Sequence, residues 1–311
     1  MTNKVSQMIT FNRIKHKPRI FKTFTGLRLA AFESLLPAFR DAYEQDLDKH
    51  DQQQSKPRQR RRGGGRKSAL RTLEDKLVFI LFYFRHYPIQ EVQGFLFGMG
   101  QSQANEWVHR LTSILNGALG YEKQLPVRQA HDLEQVLAVC PGLEFIVDGT
   151  ERPIRRPKDK EKQRQYYSGK KKRHTIKNNV ITNKHTKKIK GLSPTCEGKK
   201  HDKKLADEEN YIFPPGSKLW KDTGFQGYEP ENVQTHQPKK KPKGKELTSE
   251  EKEQNTLIAK GRIGVEHSIG GVKTFGIVRD IYRNMKQGFE DLVMETACGL
   301  HNLRIDFPLS T

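Results

Sequence analysis

The period of the hydrophobic pattern changes part-way along the chain, and this change limits the possible folds more than any other feature. Between residues 71 and 115, apolar residues recur at the three- and four-residue spacing of helices. Beyond a linker near residues 120–129, the runs LEFIV (143–147) and HTIKNNVIT (174–182) are β-rich, and residues 187–193 form a weaker third run. The sequence therefore predicts an all-helical part followed by a part that contains strands.

The second part is predicted to be an α/β domain that extends over residues 140–311. After its three clustered strands come a helix that begins near residue 202, a short strand at residues 217–221 and two helices near the end of the chain. Such an order is typical of one mixed sheet with helices on its faces. We therefore predict an α/β fold, with a mixed sheet and flanking helices, preceded by a small all-α domain.

Residues 1–67 are predicted to hold one helix and a basic, flexible arm. The pattern of residues 25–43 predicts a helix that Pro37 kinks or divides. Residues 46–67 are too polar and too rich in glycine and arginine to fold by themselves. The arginines at the centre of this arm are Arg60, Arg61 and Arg62. An arm of this kind suits a phosphate backbone or a minor groove, and a solvated linker is the alternative.

Residues 68–120 have the outline of a helix-turn-helix domain. A buried helix (71–86) capped by Thr72 precedes a short helix (89–97), a glycine-containing turn and a further helix (103–115) capped by Ser102. In this interpretation one face of the last helix reads DNA and the other packs inward. The residues predicted to face DNA are Gln101, Gln103, Asn105, Glu106 and His109. Other three-helix bundles of this size have a similar pattern.

The net charge of the chain indicates a polyanionic partner. Lysine and arginine number 57 against 36 acidic residues, which gives a net charge of +21. Double-stranded DNA is the partner that such an excess favours, because phosphate neutralisation supplies most sequence-independent affinity. An anionic membrane surface is the alternative, but the longest apolar run, residues 77–84, is too short to span a bilayer. Three widely spaced cysteines and no signal-peptide pattern favour the cytoplasm.

The stretch GRIGVEHSIGGVK (261–273) combines a core-facing pattern with charged residues. On a helix, Arg262, Glu266 and Lys273 share one stripe about 40° wide. An apolar stripe runs beside it and consists of Ile258, Val265, Ile269 and Val272. Glu266 is therefore predicted to lie at the edge of a cleft, in a helix that starts with a capping box at Thr248. The alternative is an Arg–Glu pair on a solvated helix face.

Three acidic residues occupy positions at which catalytic groups gather in α/β folds. Asp148 is predicted to close the first strand, Asp222 closes a later one, and Glu266 lies on the helix that packs on the same sheet. Three carboxylates select hard cations, so we predict Mg²⁺ or Mn²⁺. Two such ions could clamp the attacking and leaving oxygens of a phosphoryl transfer. The alternatives are a hairpin turn at Asp148 and an Asx turn at Asp222.

Two further features accompany these acids. The segment 155–173 is predicted to be a very basic loop that carries Tyr166 and Tyr167, a combination that suits a groove for a nucleic-acid strand. Asp202, in KKHDKK, competes for a metal-binding role, but the helical pattern that begins just after it favours a helix N-cap.

Taken together, the motifs resemble those of a known family. IVDGT, KDTGFQGY, RIGVEHSIGGVK and ACGLHNLR resemble the catalytic domain of the DDE-superfamily insertion-sequence transposases, in the bacterial branch related to the Harbinger transposases. The resemblance covers residues 143–304 and implies a ribonuclease-H-like fold. It implies Asp148, Asp222 and Glu266 as the DDE triad with two Mg²⁺ ions, and Arg262 and Lys273 as contacts to DNA at the element ends. His201-Asp202 matches a His-Asp pair of this branch whose role is not assigned.

The resulting prediction is a bacterial transposase of the nucleoid that binds the ends of its insertion sequence and then cuts and joins DNA. The resemblance also implies double-stranded DNA as both element end and target, and a dimer or larger assembly on DNA. Related enzymes often have a tyrosine at the position of Ala259, so this chain lacks the aromatic ring that a base-stacking role there would require. The alternatives are a catalytically silent, transposase-derived DNA-binding protein and a stand-alone nuclease of the same fold.

Overall fold

A computed structural model describes residues 9–53, 68–241, 244 and 246–308. The chain divides into two compact units. The first unit comprises residues 1–125, 274–277 and 292–311, and the second comprises residues 126–273 and 278–291. None of the described helices is both long and apolar enough to cross a lipid bilayer.

The first unit is helical and packs around a core of phenylalanine and leucine side chains. Its helices up to residue 125 are α1 (Phe11–Ile14), α2 (Pro18–Thr25), α3 (Leu29–Gln52), α4 (Leu73–His86), α5 (Gln90–Leu96) and α6 (Gln101–Tyr121). Every side chain from Leu77 to Phe84 in α4 is buried, as its continuous apolar pattern predicts. Thr72 caps α4 by accepting a hydrogen bond from Asp75 N at 3.1 Å, which confirms the predicted start of this helix.

Helix α3 is longer than the sequence predicts. Pro37 lies inside it without dividing it, and the buried side chains of Leu35, Ala38 and Phe39 hold the surrounding turns in the core. The helix also continues to Gln52, so the prediction that the chain is unfolded from residue 46 is wrong for residues 46–52. Asp46 is held there by Arg110 of α6, whose guanidinium nitrogens lie 2.7 Å from its carboxylate. Arg60, Arg61 and Arg62 lie outside the described residues.

Helices α5 and α6 are joined by a short turn, as a helix-turn-helix requires. Helix α6 begins at Gln101 with Gly100 as its N-cap, so the prediction that Ser102 caps this helix is wrong. It also runs on to Tyr121, because Ala118 and Leu119 continue its buried face.

The second unit contains a mixed sheet with helices. Its elements are α7 (Ala130–Ala138), β1 (Glu144–Pro153), α8 (Lys160–Tyr166), β2 (Tyr167–Ser168), β3 (Arg173–Asn183), β4 (Ile189–Leu192), β5 (Cys196–Glu197), α9 (Asp202–Glu209), β6 (Lys218–Trp220), β7 (Gln234–His236) and α10 (Ser249–Val272). The last helices are α11 (Gly276–Arg279) and α12 (Phe289–Asp306), each of which has residues in both units.

Among the described residues, the sheet has seven strands and is mixed. Strand β1 is at its centre, with β3 antiparallel on one side and β6 parallel on the other, and β7 extends the parallel half. Strands β2, β4 and β5 each pair with β3. The prediction of an α/β fold with a mixed sheet and flanking helices is confirmed, and this arrangement is the one expected of a ribonuclease-H-like domain.

Two predictions about the strands and loops are wrong in detail. Strand β1 does not end at Asp148 but continues to Pro153, with Asp148 opposite Val180 of β3. A hairpin turn at Asp148-Gly149 is therefore excluded as well. The basic segment 155–173 is not entirely a loop, because it contains α8 and β2. Asp159 starts α8 by accepting a hydrogen bond from Lys162 N at 2.8 Å.

The core of the second unit fixes the helices on the sheet. Leu133 and Leu137 of α7 and Ala206 of α9 belong to the same buried cluster as Phe145 and Val147 of β1. Helix α10 packs on β1 and β6. Its residue Gly261 lies so close to Trp220 of β6 that a Cβ there would be 2.5 Å from the indole ring.

Candidate active site and nucleic-acid interface

Asp148 and Asp222 are brought together near the centre of the sheet, where Asp148 lies in β1 and Asp222 lies just beyond the neighbouring parallel strand β6. Asp148 follows the buried residue Val147, and Asp222 lies two residues beyond the end of β6. Arg262 of α10 faces both carboxylates, with its Nη2 4.0 Å from Asp148 Oδ2 and 3.9 Å from Asp222 Oδ2. The two acids that the sequence places far apart therefore share one guanidinium.

The segment after β6 holds Asp222 in a defined conformation. Its side chain accepts a hydrogen bond from Gly224 N at 2.6 Å, so the predicted Asx turn is present. Its carbonyl oxygen accepts a hydrogen bond from Gln237 Nε2 at 2.5 Å. Lys221, the residue before it, is fully buried and its ammonium lies 2.6 Å from the carboxylate of Glu229. An Asx turn and a role in a site are therefore compatible at this residue.

The environment of Asp148 disfavours its negative charge. Burial raises the pKa of Asp148 to about 6, and the negative charges of Asp222 and Asp202 add to this effect. The guanidinium of Arg262 and a hydrogen bond from Gly149 N at 2.9 Å act in the opposite direction without cancelling it. A further cation beside Asp148 would therefore stabilise its ionised carboxylate.

The Arg262 side chain is largely buried, yet its ion pairs with the two aspartates are long. Its side chain is 15% exposed, and both of its distances to carboxylate oxygens are at the outer limit for ion pairs. Its Nε is buried and has no hydrogen-bond partner among the described residues. A buried guanidinium with an unused N–H is suited to an oxygen atom that arrives with a ligand, such as a phosphate oxygen.

Asp202, whose local sequence favours a helix N-cap over a metal-binding role, also lies beside this site. It is the first residue of α9, and its N-cap is His201, so the prediction that Asp202 is the N-cap is wrong. The Asp202 carboxylate lies against Gly149, which follows Asp148, and against Gly224, which is two residues after Asp222. The signal that could have located it is the glycine that occurs shortly after Asp148 and after Asp222.

Glu266 is exposed, one helical turn after Arg262. Among the described residues, no three His, Cys, Asp or Glu side chains are close enough together to hold a metal ion, so the geometry does not assemble Glu266 with the two aspartates. Side chains four residues apart on a helix lie on the same face. Glu266 and Arg262 therefore share one face of α10, and the role of Glu266 in the triad stays a prediction.

Lys273, at the end of α10, adds positive charge to the region. Burial and the neighbouring Lys171 lower the pKa of its ammonium, while Asp148 and Glu151 act in the opposite direction. Lys273 is therefore close enough to Asp148 and to Lys171 for their charges to act on it.

The chemistry of the site suits a divalent metal ion. The side chains that converge are carboxylates, whose oxygens are the ligands that Mg²⁺ and Mn²⁺ prefer. The guanidinium of Arg262 between Asp148 and Asp222 shows that a positive charge is stable there. These carboxylate ligands therefore fit a divalent ion. Among the described residues, two of the acids, Asp148 and Asp222, face one cationic group, the guanidinium of Arg262.

A second basic surface of this unit surrounds α8. A cavity of about 630 Å³ has walls made mainly of basic side chains. Its lining residues are Arg156, Lys160, Gln163, Arg164, Tyr167, His174 and Lys199. The rings of Tyr167 and His174 meet edge to face with centroids 5.7 Å apart, and 43% of Tyr167 is exposed. This is the predicted combination of cations and aromatic rings.

The face of α6 predicted to read DNA is accessible. Gln103 is exposed, while Asn105 and His109 are half-buried. Asn105 Oδ1 accepts a hydrogen bond from Gln90 Nε2 of α5 at 2.7 Å, which fixes one helix against the other. The residues predicted to pack inward are buried, namely Val108, Leu111 and Ile114, and Trp107 is half-buried.

Comparisons with known proteins place these features in a family. A family model described as "DDE superfamily endonuclease" matches residues 147–302, and one described as "Helix-turn-helix of DDE superfamily endonuclease" matches residues 68–120. The "Probable transposase for insertion sequence element IS702" of Microchaete diplosiphon is 29% identical over 289 residues, which cover 92% of this chain and 95% of that protein. No solved structure matches.

Proposed function

Because the chain belongs to the DDE superfamily of endonucleases and carries the helix-turn-helix of that superfamily, we propose that it is a DNA transposase. It binds the ends of its own insertion sequence, hydrolyses phosphodiester bonds there and joins the freed ends to target DNA in the bacterial nucleoid. The observation that carries this proposal is the pair of aspartates, Asp148 and Asp222, on either side of Arg262.

The proposed catalytic residues are Asp148, Asp222 and Glu266. DDE superfamily endonucleases use divalent metals, and we propose two Mg²⁺ or Mn²⁺ ions held by these three carboxylates. Bound ions of this kind supply an activated water or 3′-hydroxyl and stabilise the leaving oxygen. Glu266 is exposed and lies one turn after Arg262, and we propose that a change of its side-chain rotamer brings it towards the aspartates.

The cationic residues of the site orient the substrate. Arg262 uses its unpartnered Nε to donate a hydrogen bond to a phosphate oxygen of the element end. Lys273 follows on the same helix face and contributes charge to the same strand. The basic cavity beside Tyr167 accepts an adjoining strand, with the tyrosine ring as a stacking surface for a base.

The first unit supplies recognition of the element ends. Gln103, Asn105 and His109 lie on the accessible side of α6 and contact base edges in the major groove. Arg60, Arg61 and Arg62 bind phosphates or the minor groove. Two ends must be held together before joining, so we propose that the protein acts on DNA as a homodimer or a larger assembly.

An assay of cleavage and joining on the element ends tests this function. Wild-type protein with Mg²⁺ is expected to nick an end fragment and to join a pre-cut end to plasmid DNA. Asp148→Asn, Asp222→Asn and Glu266→Gln are each expected to abolish both reactions while they bind the fragment as the wild type does.

The outcomes separate the possible functions. Full cleavage by one of these variants would remove that residue from the active site. Specific end binding by a wild-type protein that never cleaves would indicate the catalytically silent DNA-binding protein. Cleavage without joining of pre-cut ends would indicate a nuclease rather than a transposase.

A further inference from the structure

Asp202 has no role in the proposed function, yet its carboxylate touches the segments that carry Asp148 and Asp222. A Cβ at Gly149 would be 2.6 Å from Asp202 Oδ1, and a Cβ at Gly224 would be 2.9 Å from Asp202 Oδ2. Atoms in proteins do not approach a Cβ so closely, so any other residue at either glycine would push the carboxylate away. The two glycines therefore leave the space that the Asp202 carboxylate occupies.

The carboxylates of Asp202 and Asp222 both border Gly224. The position that a Cβ would take at Gly224 lies 2.8 Å from Asp222 Oδ1 and 2.9 Å from Asp202 Oδ2. With Asp148, which faces Asp222 across Arg262, the site has three carboxylates in series. Like charges in one region repel one another. An uncharged side chain of the same size would therefore fill this space at a lower electrostatic cost than an aspartate.

Lys177 of β3 is the partner that neutralises Asp202. Its Nζ lies 2.9 Å from Asp202 Oδ1 and 3.9 Å from Glu151 Oε1, and it donates a hydrogen bond to the carbonyl of Lys200 at 2.8 Å. The Lys177 side chain is 8% exposed, whereas that of Asp202 is 18% exposed. The carboxylate thus lies between a buried ammonium on one side and the aspartates on the other.

We propose that Asp202 is a further carboxylate ligand of the divalent cation held by Asp148 and Asp222, and that Lys177 competes with this cation for it. The inference rests on the proposed function, because it assumes a cation at the two aspartates. It accounts for the glycines at 149 and 224 and for the charge of Asp202.

Mn²⁺ binding to the full-length protein, measured by calorimetry without DNA, tests this inference independently of activity. Asp202→Asn keeps the shape of the side chain and removes its charge, so its Kd for Mn²⁺ is expected to rise by about tenfold or more. Lys177→Gln removes the competing ammonium, so its Kd is expected to fall severalfold. Asp207→Asn is the matched control, because it removes a carboxylate from the same helix that pairs with Lys203 at 2.5 Å instead.

An Asp202→Asn variant with wild-type Mn²⁺ affinity would overturn the inference. If Asp202→Asn does not fold, Lys177→Gln provides the test. Unchanged or weaker Mn²⁺ binding by Lys177→Gln would then overturn the inference. Asp148→Asn separates this failure from failure of the proposed function. If Asp148→Asn weakens Mn²⁺ binding and Asp202→Asn does not, only the role of Asp202 is wrong. If neither weakens it, the cation site of the proposed function is wrong.

Discussion

The buried position of Asp148 is poorly suited to an ionised side chain. Burial raises its pKa to about 6, so at neutral pH an ionised carboxylate is held where its surroundings stabilise it poorly. Asp148→Asn removes the charge and keeps the shape. In mildly alkaline, metal-free buffer we expect the free energy of unfolding of this variant to exceed that of the wild type by about 1–3 kcal/mol, because a shift of one pKa unit corresponds to about 1.4 kcal/mol. Urea denaturation measures the difference.

The control for this prediction is Asp207→Asn. Asp207 is exposed and pairs with Lys203, so its replacement should change the unfolding free energy by less than about 0.5 kcal/mol. A clear loss of stability in Asp148→Asn would contradict the prediction, since it would mean that the folded protein stabilises the ionised carboxylate.

Individual site residues could be predicted from the sequence only where a local pattern marks them. Asp148 follows the apolar run of β1 and Asp222 follows β6, and parallel neighbours bring such positions together. Asp202 was assigned to a helix cap because its local sequence favours one, while its contacts with Lys177 and the two glycines are long-range. Glu266 remains a prediction, because the described geometry leaves it exposed.

At the scale of the element, helix α10 depends on a glycine for its position. A Cβ at Gly261 would be 2.5 Å from the ring of Trp220, so Gly261→Ala should push the helix off the sheet and displace Arg262 beside it. We expect cleavage by this variant to fall by about tenfold to a hundredfold, since small misplacements of catalytic groups have effects of this size.

Gly270 is the matched position in the same helix. A Cβ there meets nothing within 4 Å, so Gly270→Ala should stabilise the protein by about 0.5–1 kcal/mol through helix propensity and should leave cleavage unchanged. Cleavage assays and urea denaturation of both variants provide the comparison. Equal behaviour of the two variants would contradict the idea that close packing against Trp220 sets the position of Arg262.

Elements with a regular apolar pattern were predictable and those without one were not. Helices α4 and α10 have both a pattern and a cap, and their starts at Thr72 and Thr248 are as predicted. Strand β1 extends beyond its apolar part because its pairing with β3 continues through Asp148-Gly149, which the local sequence marks as a turn. Helix α8 lies in a stretch of charged residues, where hydrophobic spacing gives no signal.

At the scale of the whole molecule, the net charge of +21 should dominate DNA affinity. We expect log Kd for an end fragment to rise steeply and linearly with log salt concentration, because each phosphate contact releases counterions. Replacing Arg60, Arg61 and Arg62 by alanine should reduce the slope by about one for each arginine that contacts a phosphate. Fluorescence anisotropy over a range of salt concentrations measures the slope.

A charge-matched control distinguishes contact from general attraction. Lys239 and Lys241 pair with Glu251 and Glu246, so replacing Lys239, Lys240 and Lys241 by alanine should change the slope much less. Equal changes in the two triple variants would contradict a specific role for the arginine arm.

The central claim is that three acids from separate elements meet around divalent cations, and iron-directed backbone cleavage tests it most directly. Fe²⁺ is substituted for Mg²⁺ in the DNA-bound protein, and peroxide with ascorbate then cuts the chain beside the bound ion. The claim predicts cuts next to Asp148, next to Asp222 and in α10 at Glu266, all of them lost in Asp148→Asn. Cuts confined to other parts of the chain, or cuts that persist in Asp148→Asn, would contradict it.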